Sequence, residues 1–196
     1  MLNNIIDSIN ESISVKQQIL KSEETLELIR AAAITITHAY QDGNKVLFCG
    51  NGGSAADAQH LSAELSGRFK FDREPLDAEA LHVNSSYVTA VANDYGYDQI
   101  FSRLVTAKAR QGDVLIGLST SGESRNIIKA FERAREIKNI SCISLTGVRE
   151  NSLAKLSHIA IQVPSSDTAR IQESHIMIGH IICGLVEESL YGKTTN

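Results

Sequence analysis

A doubly wound α/β fold, with a mainly parallel five-stranded sheet and helices on both faces, is what the sequence predicts. Three observations carry that prediction. Five short apolar runs, at 46–49, 80–83, 114–118, 142–145 and 159–163, read as strands. They are continuous in Val, Ile and Leu rather than alternating, as strands buried on both faces are. Between them lie longer segments with apolar residues three and four apart, and strands alternating with helices imply βαβ units. Finally, Pro75 and Pro164 are the only prolines and no repeat or low-complexity tract interrupts the chain. Residues 1–196 are therefore expected to form one domain.

Taken in order, the first forty residues read as helix. Leu2, Ile5, Ile6, Ile9 and Ile13, then Leu26, Ile29, Ala33 and Ile36, recur at helical spacing, and a polar break around 21–24 divides them into two helices. This N-terminal extension is expected to serve packing or oligomerisation. After the first strand, 54–67 is helical, then 87–110 follows the second strand, 124–138 the third and 153–156 the fourth. A last helix covers 168–191.

Composition excludes several classes of function. The chain has 196 residues, 42% hydrophobic and 21% charged, which suits a globular protein and not a disordered one. Nineteen Lys and Arg against 23 Asp and Glu leave a net charge of −4, and aromatics make up 5% with no Trp. A nucleic-acid binder usually carries a basic field and stacking aromatics, so none is expected here. Cys49, Cys142 and Cys183 are scattered, form no CxxC, and read as small core residues. The N-terminus lacks a basic n-region, and the apolar stretch 176–186 is too short to span a bilayer. A cytoplasmic protein without a membrane partner is the expectation.

In a doubly wound sheet, ligands sit beyond the carboxyl ends of the strands. Two segments there stand out. After the first strand comes Gly50-Asn51-Gly52-Gly53-Ser54-Ala55-Ala56-Asp57. Its glycines permit a tight turn and close approach of a ligand, and the next helix offers free N–H groups. Gly50, Gly52 and Ala55 satisfy G-x-G-x-x-A, yet the following strand ends in Val83-Asn84-Ser85-Ser86, without the acidic residue a dinucleotide ribose needs. Ser54 with Asp57 reads as a capping box. After the third strand comes Ser119-Thr120-Ser121-Gly122-Glu123-Ser124. It is no P-loop, but hydroxyls and N–H donors at a strand-to-helix junction can hold a phosphate, the alternative being serines that only cap the helix.

Among ionisable residues, His60 and Glu64 are spaced i, i+4 and share a helix face, so they can chelate one metal ion or orient one another. Arg68, a turn later, is a candidate partner for Glu64. The last helix carries Arg170, Gln172, Glu173, His175 and His180 in an apolar stretch. At about 100° per residue, Glu173 lies ~20° and Gln172 ~80° from His180 around the axis, so spacing favours Glu173 as its partner.

At these residues the sequence resembles the sugar isomerase (SIS) domain family, and within it the phosphoheptose isomerases. Asn51-Gly52-Gly53-Ser54, Ala58-Gln59-His60 with Glu64, Asn93-Asp94-Tyr95-Gly96, Ser119-Thr120-Ser121-Gly122, Asp167-Thr168-Ala169-Arg170-Ile171-Gln172-Glu173 and His180 fall in order over nearly the whole chain. The resemblance implies an SIS-type fold and a cytoplasmic homotetramer that isomerises sedoheptulose 7-phosphate to D-glycero-D-manno-heptose 7-phosphate. That heptose feeds lipopolysaccharide core or other surface glycans. It implies one zinc ion per subunit on His60, Glu64, Gln172 and His180, selecting Gln172 over Glu173. It implies a sugar phosphate held by Asn51, Gly52, Gly53, Asn93, Asp94, Ser119, Thr120, Ser121 and Ser124, with Glu64 and Gln172. Such chemistry needs a base at carbon, read as Glu64, and an acid/base at oxygen, read as His180; Asp57 is a candidate to orient His60. The sequence departs from relatives at Val148-Arg149-Glu150 and at Asn84-Ser85-Ser86. The alternative is a non-enzymatic tetrameric SIS adaptor that binds the replication initiator DnaA. Such adaptors lack the counterpart of Glu64 and depart from the Ser-Thr-Ser-Gly run and the late histidine, all of which this chain keeps.

Overall fold

Helix α1 (Leu2–Lys21) and helix α2 (Glu23–Gln41) meet at Ser22, whose hydroxyl accepts the Thr25 N–H at 3.2 Å and starts the second helix. The break predicted at 21–24 is there. The computed structural model describes residues 1–192. Val15 and Ile19 bury the far end of α1, whereas Leu2, Ile5, Ile6, Ile9 and Ile13 are exposed. The apolar stripe that marks α1 as a helix therefore faces outward over its first half.

Strands β1 (Val46–Gly50), β2 (Ala78–Ala80), β3 (Val114–Leu118), β4 (Ser141–Gly147) and β5 (Ile159–Val163) form one sheet in the order β2-β1-β3-β4-β5, every pair parallel. Successive side chains leave a strand on opposite faces. Val46, Phe48, Val114, Ile116, Ile143 and Ile161 thus join one core, covered by α2, α3 (Gly53–Ser66) and α8 (Thr168–Tyr191). Leu47, Cys49, Leu115 and Cys142 join the other, beneath α4 (Ser85–Tyr95), α5 (Ile100–Lys108), α6 (Arg125–Arg135) and α7 (Ser152–Leu156). All three cysteines are buried and free. Among the described residues no helix is long and apolar enough to cross a membrane.

Two differences from expectation have a clear physical cause. The second strand, predicted at 80–83, is Ala78–Ala80. Leu81 N–H still donates to Phe48 O at 2.9 Å, but Val83 N–H turns back to Ala80 O at 3.4 Å. An edge strand bonds on one side only, so its hydrogen bonds, and not the apolar run, set its limits. The helix predicted over 87–110 is two helices. Gly96, at φ +88°, ends α4, and a 3-10 turn over Tyr97–Gln99 leads into α5. Both helices face the same core, so the apolar rhythm runs through the break unchanged.

With this strand order, the connections leaving β1 and β3 go to opposite faces of the sheet. The crevice at such a switch point is where doubly wound folds bind ligands. Both singled-out loops open into it.

Candidate active site

The glycine loop leaves β1 and enters α3 at Gly53, with Gly52 at the N-cap position and no side-chain cap. The capping box predicted for Ser54 and Asp57 is not formed, because both lie inside the first turns of α3, and both are buried. The glycines, not a serine, make this helix start. The Asp57 carboxyl stands above the usual carboxylate range because burial disfavours its charge, with His60 and Gln172 pulling the other way. Its Oδ2 is buried without a hydrogen-bond partner.

Asn51 ties the two loops together. Its amide and that of Asn126 exchange hydrogen bonds, each 2.9 Å, and the Tyr97 hydroxyl donates to Asn51 Oδ1 at 3.0 Å. Asn126 is 2% exposed, and its Oδ1 also accepts the Ile127 N–H. Asn126 and Tyr97 are the residues sequence reasoning missed. Neither lies in a recognisable motif; each is defined by what it meets across the crevice.

The hydroxyl loop is tied together by its own side chains. Ser119 is buried, its Oγ lies 3.0 Å from Ser124 Oγ, and it accepts the Gly122 N–H at 3.1 Å. Ser121 Oγ accepts the Glu123 N–H at 3.2 Å. Ser124 stands at the N-cap of α6 without capping it through its side chain, so the capping alternative for this serine is not met. The one acid of the loop is engaged: Glu123 accepts Ser152 N–H at 2.7 Å and Ser152 O–H at 2.8 Å, which hold its carboxyl below the usual range. The hydroxyls thus stand at the positive end of α6. Beside this loop opens a cleft of about 250 Å³ whose lining includes Thr120, Ser121, Glu123, Arg149, Glu150 and Thr168.

The acid/base cluster joins α3 to α8. His60 Nε2 and His180 Nε2 face one another at 2.9 Å, and Glu64 Oε1 lies 3.2 Å from His60 Nε2. One ligand atom from each of the three residues falls within 4.8 Å of the others. Gly179 makes this possible, since a Cβ there would strike Leu61, the neighbour of His60. Two imidazole nitrogens and a carboxylate oxygen turned to one point are a donor set for a divalent ion such as Zn²⁺. The unpartnered Asp57 oxygen nearby is a further negative group that a cation would offset.

Gln172 and Glu173 part company. The Gln172 amide lies directly against Gly53, next to Asp57. Glu173 instead accepts Ser12 O–H at 2.8 Å and pairs with Arg170 at 2.5 Å, facing α1. The angular argument favoured Glu173, but Ser12 of α1 and Arg170 engage that side chain, and Gln172, one residue farther from His180 along α8, is the one that faces the glycine loop. Asn93 and Asp94 are exposed and bond to each other at 2.9 Å, with Tyr97 rather than either of them reaching Asn51. Arg68 is exposed, and it is Arg73, not Arg68, that binds at Glu64, donating to its backbone carbonyl at 2.9 Å.

Comparison with known proteins gives consistent results. The family described as the SIS domain matches residues 9–147. The phosphoheptose isomerase of Aneurinibacillus thermoaerophilus is 52% identical over 191 residues, 97% of this chain and 96% of that protein. The solved phosphoheptose isomerase of Neisseria gonorrhoeae superposes with a TM-score of 0.89 at 39% identity, and that of Francisella tularensis with 0.90 at 35%; each comparison covers 95% of this chain and 98% of the other.

Proposed function

The chain belongs to the SIS domain family and, within it, to the phosphoheptose isomerases, and from that premise we infer that it interconverts sedoheptulose 7-phosphate and D-glycero-D-manno-heptose 7-phosphate. It is an aldose–ketose isomerase, an intramolecular oxidoreductase. The observation that carries the reading is the convergence of His60, Glu64 and His180 on one point, on the helix that follows the glycine loop and on the helix packed against it. The adaptor alternative has no observation of this chain behind it, since binding a protein partner gives no reason to hold two imidazoles and a carboxylate together.

Residues take the following roles. His60, Glu64, Gln172 and His180 are the set that would hold one Zn²⁺ per subunit, which when bound supplies Lewis-acid polarisation of the substrate oxygens. Glu64 takes the C1 proton of the ketose and returns it to C2 through an enediol. With Oε1 turned to His60 at 3.2 Å, Oε2 is the oxygen assigned to that transfer. His180 moves the proton between the C2 and C1 oxygens. Ser119, Thr120, Ser121 and Ser124 hold the phosphate as a handle, and Gly52, Gly53, Asn51, Asn93 and Asp94 hold the sugar, with Asn126 and Tyr97 fixing Asn51.

We further propose a cytoplasmic homotetramer of single-domain subunits, supported by the exposed apolar face of α1, a contiguous feature that marks interaction surfaces. Its product would feed lipopolysaccharide core or other surface glycans, and neither nucleic acid nor membrane is a partner. The test is incubation with sedoheptulose 7-phosphate, with and without chelator and added Zn²⁺, following heptose 7-phosphate by NMR. Turnover lost on chelation and restored by Zn²⁺ is expected. Folded, metal-loaded protein without turnover would refute the assignment and make a pull-down with DnaA the next experiment.

A further inference from the structure

Behind the metal cluster lies a buried ion pair that the isomerase chemistry does not use. Arg73 Nε donates to Glu187 Oε1 at 2.9 Å, and the two side chains are 1% and 0% exposed. Glu187 stands on α8, two turns beyond His180. Its carboxylate also accepts three successive backbone N–H groups, from Phe69 at 3.0 Å, Lys70 at 2.6 Å and Phe71 at 3.1 Å. The guanidinium also donates to the end of α3 and the turn after it, Nη2 to Glu64 O at 2.9 Å, Nη1 to Leu65 O at 2.8 Å and Gly67 O at 3.2 Å, and Nη1 reaches Glu74 O at 3.0 Å. One ion pair thereby grips the last turn of α3, which carries Glu64, and the segment that follows it.

That segment returns to the metal cluster. The Phe69 ring lies nearly parallel to that of His180, centroids 5.7 Å apart and planes 18° apart. His180 meets the cluster through Nε2, so Phe69 covers the face of the ring while its edge points at the site. An apolar pair of similar volume would stabilise the fold as well as a buried ion pair or better. What the ion pair adds is direction, because three backbone hydrogen bonds to one fixed carboxylate leave residues 69–71 one way to run. We propose that Arg73 and Glu187 are positioning residues for the metal site, holding this segment so that Phe69 fixes the ring of His180 for the ion. The inference rests on the metal reading above.

Cobalt(II) serves as the probe, its visible absorption reporting ligand geometry and competition with a chromophoric chelator reporting affinity. The variants are Phe69→Leu, which leaves the ion pair untouched, Arg73→Lys, Glu187→Gln and the double variant Phe69→Leu/Arg73→Lys, with circular dichroism confirming the fold. Loss of a group that orients a metal ligand weakens binding by about 10–100-fold. Phe69→Leu and Arg73→Lys should each show a loss in that range with an altered cobalt spectrum, and the double variant no more than about threefold beyond the weaker single, because both act through one ring. Wild-type affinity and spectrum in Phe69→Leu would overturn the inference, as would losses that multiply in the double variant. If Arg73→Lys or Glu187→Gln fails to fold, Phe69→Leu alone decides. Wild-type protein that binds no cobalt would refute the metal reading, and this inference with it; cobalt bound equally by wild type and Phe69→Leu refutes this inference alone.

Discussion

Replacing Gly53 with alanine sets the stability of α3 against the geometry of the site. A Cβ at Gly53 would stand 2.7 Å from Cδ of Gln172 and closer still to both amide heteroatoms. Carbon atoms settle at about 3.5–4.0 Å, so the amide must withdraw by about 1 Å. A displacement of that size in a positioning group costs about 100-fold in rate. The effect on folding has the opposite sign. Gly53 is the first residue of α3 and its φ is not positive, so alanine fits the backbone. The gain from Gly→Ala within a helix is about 1 kcal/mol, and less in the first turn. The Gly53→Ala protein should therefore melt at or slightly above the wild-type temperature while kcat/KM for sedoheptulose 7-phosphate falls about 100-fold. Calorimetry and the NMR assay on one preparation measure both. A kcat/KM within twofold of wild type would show that Gln172 has no positional role, and the contact between the glycine loop and α8 would then be packing alone.

Other consequences are as direct. Glu64→Gln should leave a folded protein with little isomerase activity, as should His180→Asn; near-normal turnover in Glu64→Gln would remove Glu64 from the mechanism. Ser119→Ala and Ser124→Ala should raise KM much more than they lower kcat, and an unchanged KM in both would count against phosphate at the hydroxyl loop. His175 is fully buried on α8, and desolvation, opposed in part by the Thr146 backbone, pushes its pKa down to about 4 from 6.5. Below pH 6.5 the unfolded chain takes up a proton there that the folded chain refuses, so stability falls as pH drops toward 4, by up to about 3 kcal/mol. Urea unfolding at pH 7 and pH 5 should show a smaller difference for His175→Leu than for wild type, and equal differences would exclude His175 as the source.

The fold class was legible in the sequence because parallel strands buried on both faces must be apolar throughout, and five such runs alternate with helical spacing. The break between α1 and α2 and the extent of α8 were legible too, since periodicity is local. The two ligand loops announced themselves because glycine and clustered hydroxyls after a strand serve few other ends. What lay beyond local reading were contacts set by the packing of distant elements. The limit of β2 depends on where its neighbour stops bonding to it. Gln172 and Glu173 are adjacent in sequence, yet only the approach of α3 to α8 over Gly179 turns one to the glycine loop, while α1 claims the other. Asn126 matters because β1 and β3 are neighbours in the sheet, 75 residues after Asn51 in the chain. Likewise Arg73 and Glu187, 114 residues apart, become a unit only once the chain has folded. Residue types and their spacing along one element determined which chemistry this protein carries. The crossing of α3 with α8, and the adjacency of β1 with β3, decided which of those residues meet, because side chains from separate elements are brought together only by the packing of the sheet and its helices.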